Sequence, residues 1–180
     1  MSEREACLSG SEGGQADRSG KYLTFVLNGE SYGLEILKVR EIIGLMPITP
    51  VPGTPGFVRG VVNLRGRIIP IVDLRAKFGL DQVEQTPRSC IIVIDVPHAG
   101  ELVSMGILVD SVSEVLHIGA SAIEDAPEFG IDTCLESILG IAKTESGIKI
   151  LLDIHKVLGA VEVHNLDKAV IEGETKGVAI

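Results

Sequence analysis

The chain has 180 residues and a formal net charge of −9; 45% of its residues are apolar, yet Trp is absent and the only Phe and Tyr are four and two. That charge argues against nucleic-acid binding, where affinity rests on neutralising phosphates, and against docking on an anionic membrane surface. No apolar run approaches the roughly 20 residues of a membrane helix.

The first residues, MSEREACLSGSEGGQADRSG, combine Gly, Ser and charge without periodicity or an apolar core, so residues 1–20 read as a flexible tail and not as a signal peptide. YLTFVL followed by Asn28-Gly29 and ESYGLEI is a β-hairpin pattern, because Asn-Gly suits a type I′ turn. LEILKVREII reads as a helical turn passing into a strand. Four Pro and two Gly in PITPVPGTPGF, residues 47–57, forbid a central strand and make a long loop. VRGVVNLRGRIIPIVDL is a second hairpin with its turn near Leu64-Arg65-Gly66, and DLRAKFG is a short helix with an Asp cap and a terminal Gly. Beyond the polar linker DQVEQTPRS the pattern restarts. CIIVIDV and LVSMGILV make a hairpin, SVSEVLHI follows, and the loop GASAIEDAPEFG leads to a last hairpin and short helix in LGIAKTESGIKILLDIHKVLG. The segment EVHNLDKAVIEGETKGVAI ends the chain as a second tail.

The restart is an internal duplication. Moved by 80 positions, Gly60–Gly79 lies on Gly140–Gly159 without a gap, with Asp73 on Asp153 and Leu74 on Ile154. Gly33, Val39 and Glu41 sit 73 positions before Gly106, Val112 and Glu114. The short β-branched runs and many turns predict an all-β fold of two five-stranded SH3/OB-like barrel lobes with short helices. Units so small bury little alone, so the two pack on a shared apolar interface. The copies differ where Asn63-Leu64-Arg65-Gly66 faces Lys143-Thr144-Glu145-Ser146. The fold therefore does not require Arg in that turn.

Nothing in the chain carries catalysis. His98, His117, His155 and His164 share no ligand spacing, so no metal or cofactor is expected. There is no phosphate-binding Gly loop and no G-x-S-x-G elbow. Glu124, Asp125 and Glu128 read as a solvated acidic loop, and Cys90 as a packing residue. Cys7, Cys90 and Cys134 are odd in number and far apart, the pattern of reduced thiols in a cytosolic protein. What remains is surface: the Pro-rich crossover and the Arg hairpin. Glu41 lies in the same copy as Arg65 among apolar flanks, so it is the candidate carboxylate for a bidentate pair that fixes the Arg.

YGLEILKVREI, then TPGFVRGVVNLRGRIIPIVDLRAKFG, then VDSVSEVL, resemble the bacterial chemotaxis coupling proteins of the CheW family, with NLRG followed by IIPIVDLR the most specific part. The resemblance places the family domain at residues 21–162, with lobe one at about 21–80 and lobe two at about 88–162, open to strand exchange. It implies a non-enzymatic adaptor between methyl-accepting chemoreceptors and the regulatory domain of the histidine kinase CheA. It also implies a cytoplasmic location, at receptor arrays on the inner membrane, without direct membrane contact. By motif position it assigns Val39, Ile91 and Val115 to a receptor-binding groove, and Glu41, Gly60 and Arg65 to signalling and complex assembly. A chemosensory-like pathway for pili, biofilm or gene expression would suit the same residues. A barrel enzyme or ligand-binding protein would need convergent polar groups in a pocket, and the sequence shows none.

Overall fold

The computed structural model describes residues 18–126 and 137–158. The segments 1–17, 127–136 and 159–180 lie outside the described residues, and with them Cys7, Cys134, Glu128, Gly159, His164, most of the acidic loop, the second expected tail and the first up to residue 17; of the rest of that first tail, Arg18 pairs with Asp125 and Gly20 opens the first strand.

Strands β1 (Gly20–Leu27) and β2 (Glu30–Glu35) form the first hairpin, and a 3₁₀ turn at Ile36–Lys38 leads into β3 (Val39–Gly44). After the Pro-rich crossover, β4 (Val58–Leu64) and β5 (Arg67–Asp73) form the second hairpin, closed by helix α1 (Leu74–Lys77). The second copy supplies β6 (Cys90–His98), β7 (Glu101–Val109), β8 (Ser111–Ile118), β9 (Ile123–Glu124), β10 (Ile138–Thr144), β11 (Gly147–Leu152) and helix α2 (Ile154–Leu158). Three hairpins turn on two residues of positive φ: Asn28-Gly29, Arg65-Gly66 and Ala99-Gly100. That is the type I′ geometry whose twist matches the flanking strands. The fourth turns on Glu145-Ser146, and the positive φ falls instead on Gly147. Both helices start on the repeated Asp: Asp73 Oδ1 accepts from Arg75 N at 2.9 Å, and Asp153 Oδ1 from His155 N at 3.1 Å.

The strands form two sheets, in the orders β8-β1-β2-β11-β10-β9 and β3-β6-β7-β5-β4. Neither sheet is one copy of the repeat. The second is continuous in sequence from Val39 to Val109, whereas the first joins Gly20–Glu35 to strands that begin at Ser111. The lobe division expected near residues 80–88 therefore falls inside the second sheet. The cause is the pairing: β2 runs parallel to β11, and β5 parallel to β7, so a hairpin of one copy is completed by a hairpin of the other. The short β9 adds a sixth strand to one lobe; in the other, Thr49 bridges Val61 at the matching place.

Packing explains the continuous apolar runs. Along β6, Ile92, Ile94 and Val96 enter a core shared by both sheets, while Ile91 and Val93 enter a core private to the second sheet. The shared core also takes Leu23, Phe25 and Leu152 from the first sheet, whose private core holds Tyr22, Ile118 and Leu151. A strand buried on both faces shows no polar alternation. At each parallel junction a Gly meets the repeat-equivalent aliphatic residue: Gly33 opposite Leu151, Gly106 opposite Ile71. A Cβ on Gly106 would lie 2.4 Å from Ile71 Cδ1 and 2.8 Å from Ile91 Cγ2.

The chain passes from β7 to β8, and so from sheet to sheet, through one residue, Asp110. Its N–H donates to Val26 O at 3.1 Å, and its Oδ2 accepts from Asn28 N at 2.9 Å. Arg75, a buried residue of α1, donates from Nε and Nη2 to the two carboxylate oxygens at 2.8 Å each, and from Nη1 to Asp81 O at 2.6 Å. The hydrogen bonds from Arg75, helped by the Asn28 amide and opposed by burial, hold the Asp110 carboxyl below its ordinary range.

Two outcomes are expected. Gly106→Ala should lower stability by roughly 1–3 kcal/mol through overpacking, seen as a lower urea midpoint; an unchanged midpoint would mean that Ile71 and Ile91 give way freely. The Asp110 carboxylate stabilises the fold fully above its unfolded pKa of about 3.9 and loses that effect as pH falls through the lower folded value. Asp110→Asn should therefore be less stable than the parent at neutral pH, with the gap narrowing in acid below that unfolded value. A gap constant across the titration would show that the charge is immaterial.

Candidate interaction site

The Arg hairpin expected from the sequence is the β4–β5 turn. Arg65 occupies its first position with φ +53°, a left-handed conformation that costs a side chain with a Cβ about 1–2 kcal/mol. Gly66 N donates to Asn63 Oδ1 at 2.9 Å and braces the turn. From there the guanidinium reaches Glu41 on β3 with two parallel hydrogen bonds, Nη1 to Oε1 at 3.2 Å and Nη2 to Oε2 at 2.9 Å. The side chain of Arg65 is 75% exposed and that of Glu41 24%. The carboxylate is thus the seated partner, and the guanidinium the presented one. A strained backbone carrying a geometrically defined but exposed ion pair adds little to stability, which directs attention to its surface.

Beside the pair, Arg40 and Arg67 line the same cleft, of about 190 Å³, with Leu64 and Val93 in its wall. Arg40 Nη1 reaches both oxygens of Asp95 at 3.3 Å, and Ser104 Oγ donates to Asp95 Oδ1 at 2.7 Å. Three guanidinium groups therefore line the cleft in a protein of net charge −9, two of them paired, Arg65 with Glu41 and Arg40 with Asp95. Sequence reasoning singled out Arg65 and Glu41 but missed Arg40 and Asp95. They meet only because β3 pairs with β6, a contact across the copies without a local signal.

Gly60 has a different place. It sits at φ +140° where the β4–β5 register shifts, and a Cβ there would stand 2.1 Å from Thr49 O and 2.9 Å from Pro50 Cα. The Pro-rich crossover is sewn to β4 at this point by Thr49 N to Val61 O at 2.8 Å and Val61 N to Thr49 O at 2.9 Å. Gly60 thus holds the crossover loop close and presents no side chain of its own.

The three expected groove residues separate. Val39 lies half-buried on β3, at the edge of the second sheet, and Val115 is 50% exposed on β8, at the edge of the first. Ile91, expected with them in the groove, is 0% exposed. It faces Gly106 in the private core of the second sheet, so a partner would feel it only through the packing above it. Glu124 and Asp125, expected in a solvated acidic loop, are exposed, and each meets a cation: Lys143 Nζ at 2.8 Å and Arg18 Nη1 at 2.7 Å. Cys90 packs at the rim of the shared core. Among the described residues no cluster of three or more His, Cys, Asp or Glu is placed to hold a metal ion.

Arg65→Ala should change stability by less than about 1 kcal/mol, as exposed ion pairs do. Gly60→Ala should lower it by more than that, because backbone and not a flexible side chain stands in the way. Thermal melts of the two variants check the contrast, and a large loss for Arg65→Ala would make that residue a brace of the fold.

Comparison with known proteins agrees with this architecture. The family model described as a CheW-like domain matches residues 21–162. The chemotaxis protein CheW of Klebsiella aerogenes is 41% identical over 147 residues, covering 82% of this chain and 86% of that protein. The chemotaxis protein CheW of Thermotoga maritima is 33% identical over 144 residues, 78% of this chain and 89% of that one. Among solved structures, the scaffolding protein TtCheW from Thermoanaerobacter tengcongensis superposes with a TM-score of 0.68 at 35% identity, over 80% of this chain and 90% of the other.

Proposed function

The chain belongs to the CheW family, and on that premise we propose that it is a non-enzymatic adaptor that couples methyl-accepting chemoreceptors to the histidine kinase CheA. The observation that carries the reading is likeness along most of the chain, in sequence to chemotaxis proteins CheW and in fold to the solved scaffolding protein TtCheW. Its surface suits the role. An adaptor needs two faces that bind at once, and coupling then follows from joint engagement and from unequal affinity for receptor states. Edge strands β3 and β8 carry Val39 and Val115, aliphatic positions suited to the apolar face of a receptor-tip helix. Glu41 and Arg65 fix a charged contact on the first-copy hairpin, and Gly60 keeps the neighbouring loop in register.

No helix among the described residues is long and apolar enough to cross a membrane. The site of action on this reading is the cytoplasmic end of a receptor array, reached through the partners. The test is co-elution of the purified protein with a receptor-tip fragment and with the CheA regulatory domain. Val115→Glu should release the receptor fragment, and Arg65→Ala should weaken assembly about tenfold, or about 1.4 kcal/mol, both with unchanged melting temperature. Failure of the folded parent to bind several cognate fragments of either kind would overturn the reading.

A further inference from the structure

Arg59 stands where two adjoining cavities meet. The more enclosed, about 260 Å³, also contains Arg75, Asp73, Asp110 and Glu84; the more open, about 490 Å³, is walled by Leu45, Met46, Pro47, Ile48 and Pro50. Gln85 borders both. Arg59 Nε donates to Asp73 Oδ2 at 2.9 Å, and the Asp73 side chain is almost fully buried, so the guanidinium is oriented from behind. Its Nη1 and Nη2 have no partner among the described residues, and its side chain is 32% exposed. In the enclosed cavity the carboxylates of Asp73 and Asp110 already answer the two Arg. In the open cavity Arg59 is the one charged residue of the lining among the described residues.

The wall is also set in advance. Pro47 and Pro50 have fixed φ, the Thr49–Val61 bridge ties the loop to β4, and Gly60 admits it at close range. A slot that needs no ordering loses little of its contact energy on binding. We propose that this slot captures an acidic–aliphatic segment of a partner protein. An Asp or Glu carboxylate of that segment takes the two open nitrogens of Arg59, and the adjoining aliphatic side chain packs on Leu45, Met46 and the prolines. Hydrogen bonding selects the occupant: a guanidinium paired to Asp73 through Nε, with Nη1 and Nη2 open over an apolar floor, matches a carboxylate beside an apolar group and disfavours a cationic or purely apolar segment. Asp73 acts here as a positioning residue. The proposal does not rest on the adaptor reading, because neither chemoreceptor nor kinase enters its test.

The experiment is a nuclear magnetic resonance titration of the full ¹⁵N-labelled chain with two blocked tripeptides, acetyl-Leu-Glu-Leu-amide and acetyl-Leu-Gln-Leu-amide. The Glu peptide should shift the Arg59 Nε–Hε signal and the Met46, Ile48 and Thr49 amides saturably. The Gln peptide should bind at least about tenfold more weakly, and added salt should narrow that difference. Leu45→Glu, a change at an exposed position, should remove the response while leaving the rest of the spectrum in place, and Arg59→Gln should equalise the two peptides. Signals that stay still, equal responses to both peptides in the parent, or shifts that track protein concentration alone, as a second copy in the slot would give, overturn the proposal.

Discussion

The structure turns on the ion pair between Arg75 and Asp110. Asp110 is the one residue between β7 and β8, where the backbone leaves one sheet for the other, so its position fixes how the sheets meet. Arg75 reaches it from the end of the first copy, and Asn28 from the turn of the opposite sheet. One carboxylate thus binds three regions distant in sequence. Isolated exposed ion pairs contribute little. This one differs because its Arg is buried, its hydrogen bonds are bidentate, and its third guanidinium nitrogen is satisfied by the Asp81 carbonyl. Removing Asp110 would leave the buried Arg75 guanidinium with poor access to water, the costly case for a buried charge.

Around that clamp the duplication produces near-symmetry with a functional exception. The capping Asp, the Gly opposite an aliphatic residue, and the close backbone approach at Gly60 and Gly140 all recur. These are constraints of packing, and both copies meet them with the same residue types. The hairpin turn is where the copies part. Arg65 accepts a left-handed backbone and pairs with Glu41, whereas Glu145-Ser146 avoids one by passing the positive φ to Gly147. Strain retained in one copy and relieved in the other belongs to what the surface does and not to what the fold requires.

Most local structure was legible because local chemistry decides it. Asn28-Gly29 marks its turn, the prolines of 47–57 forbid a strand, and Asp73 caps its helix. The partner of Arg65 was legible too, since Glu41 is the carboxylate among apolar flanks in the same copy. The assignment of strands to sheets was not. Aliphatic runs such as CIIVIDV look alike whichever sheet receives them, and the parallel pairing that sorts them joins residues far apart in the chain. For the same reason Ile91 could be placed on a strand but not on a face, and Arg59 gave no sign that two of its nitrogens would face an open slot.

The discontinuous sheet has a consequence for birth on the ribosome. Strands β3 to β7 emerge as an unbroken set and can close their sheet as soon as β7 is clear. The hairpin β1–β2, made first, must wait for β11, because Tyr32 pairs with Ile150. At about 5–20 residues per second the delay is on the order of ten seconds. Throughout it, Leu23, Phe25 and Leu34 lack the late strands and helix that complete their side of the shared core. The nascent chain therefore passes through a long-lived state with one finished lobe and one exposed hairpin, the stage at which a holdase has most to protect.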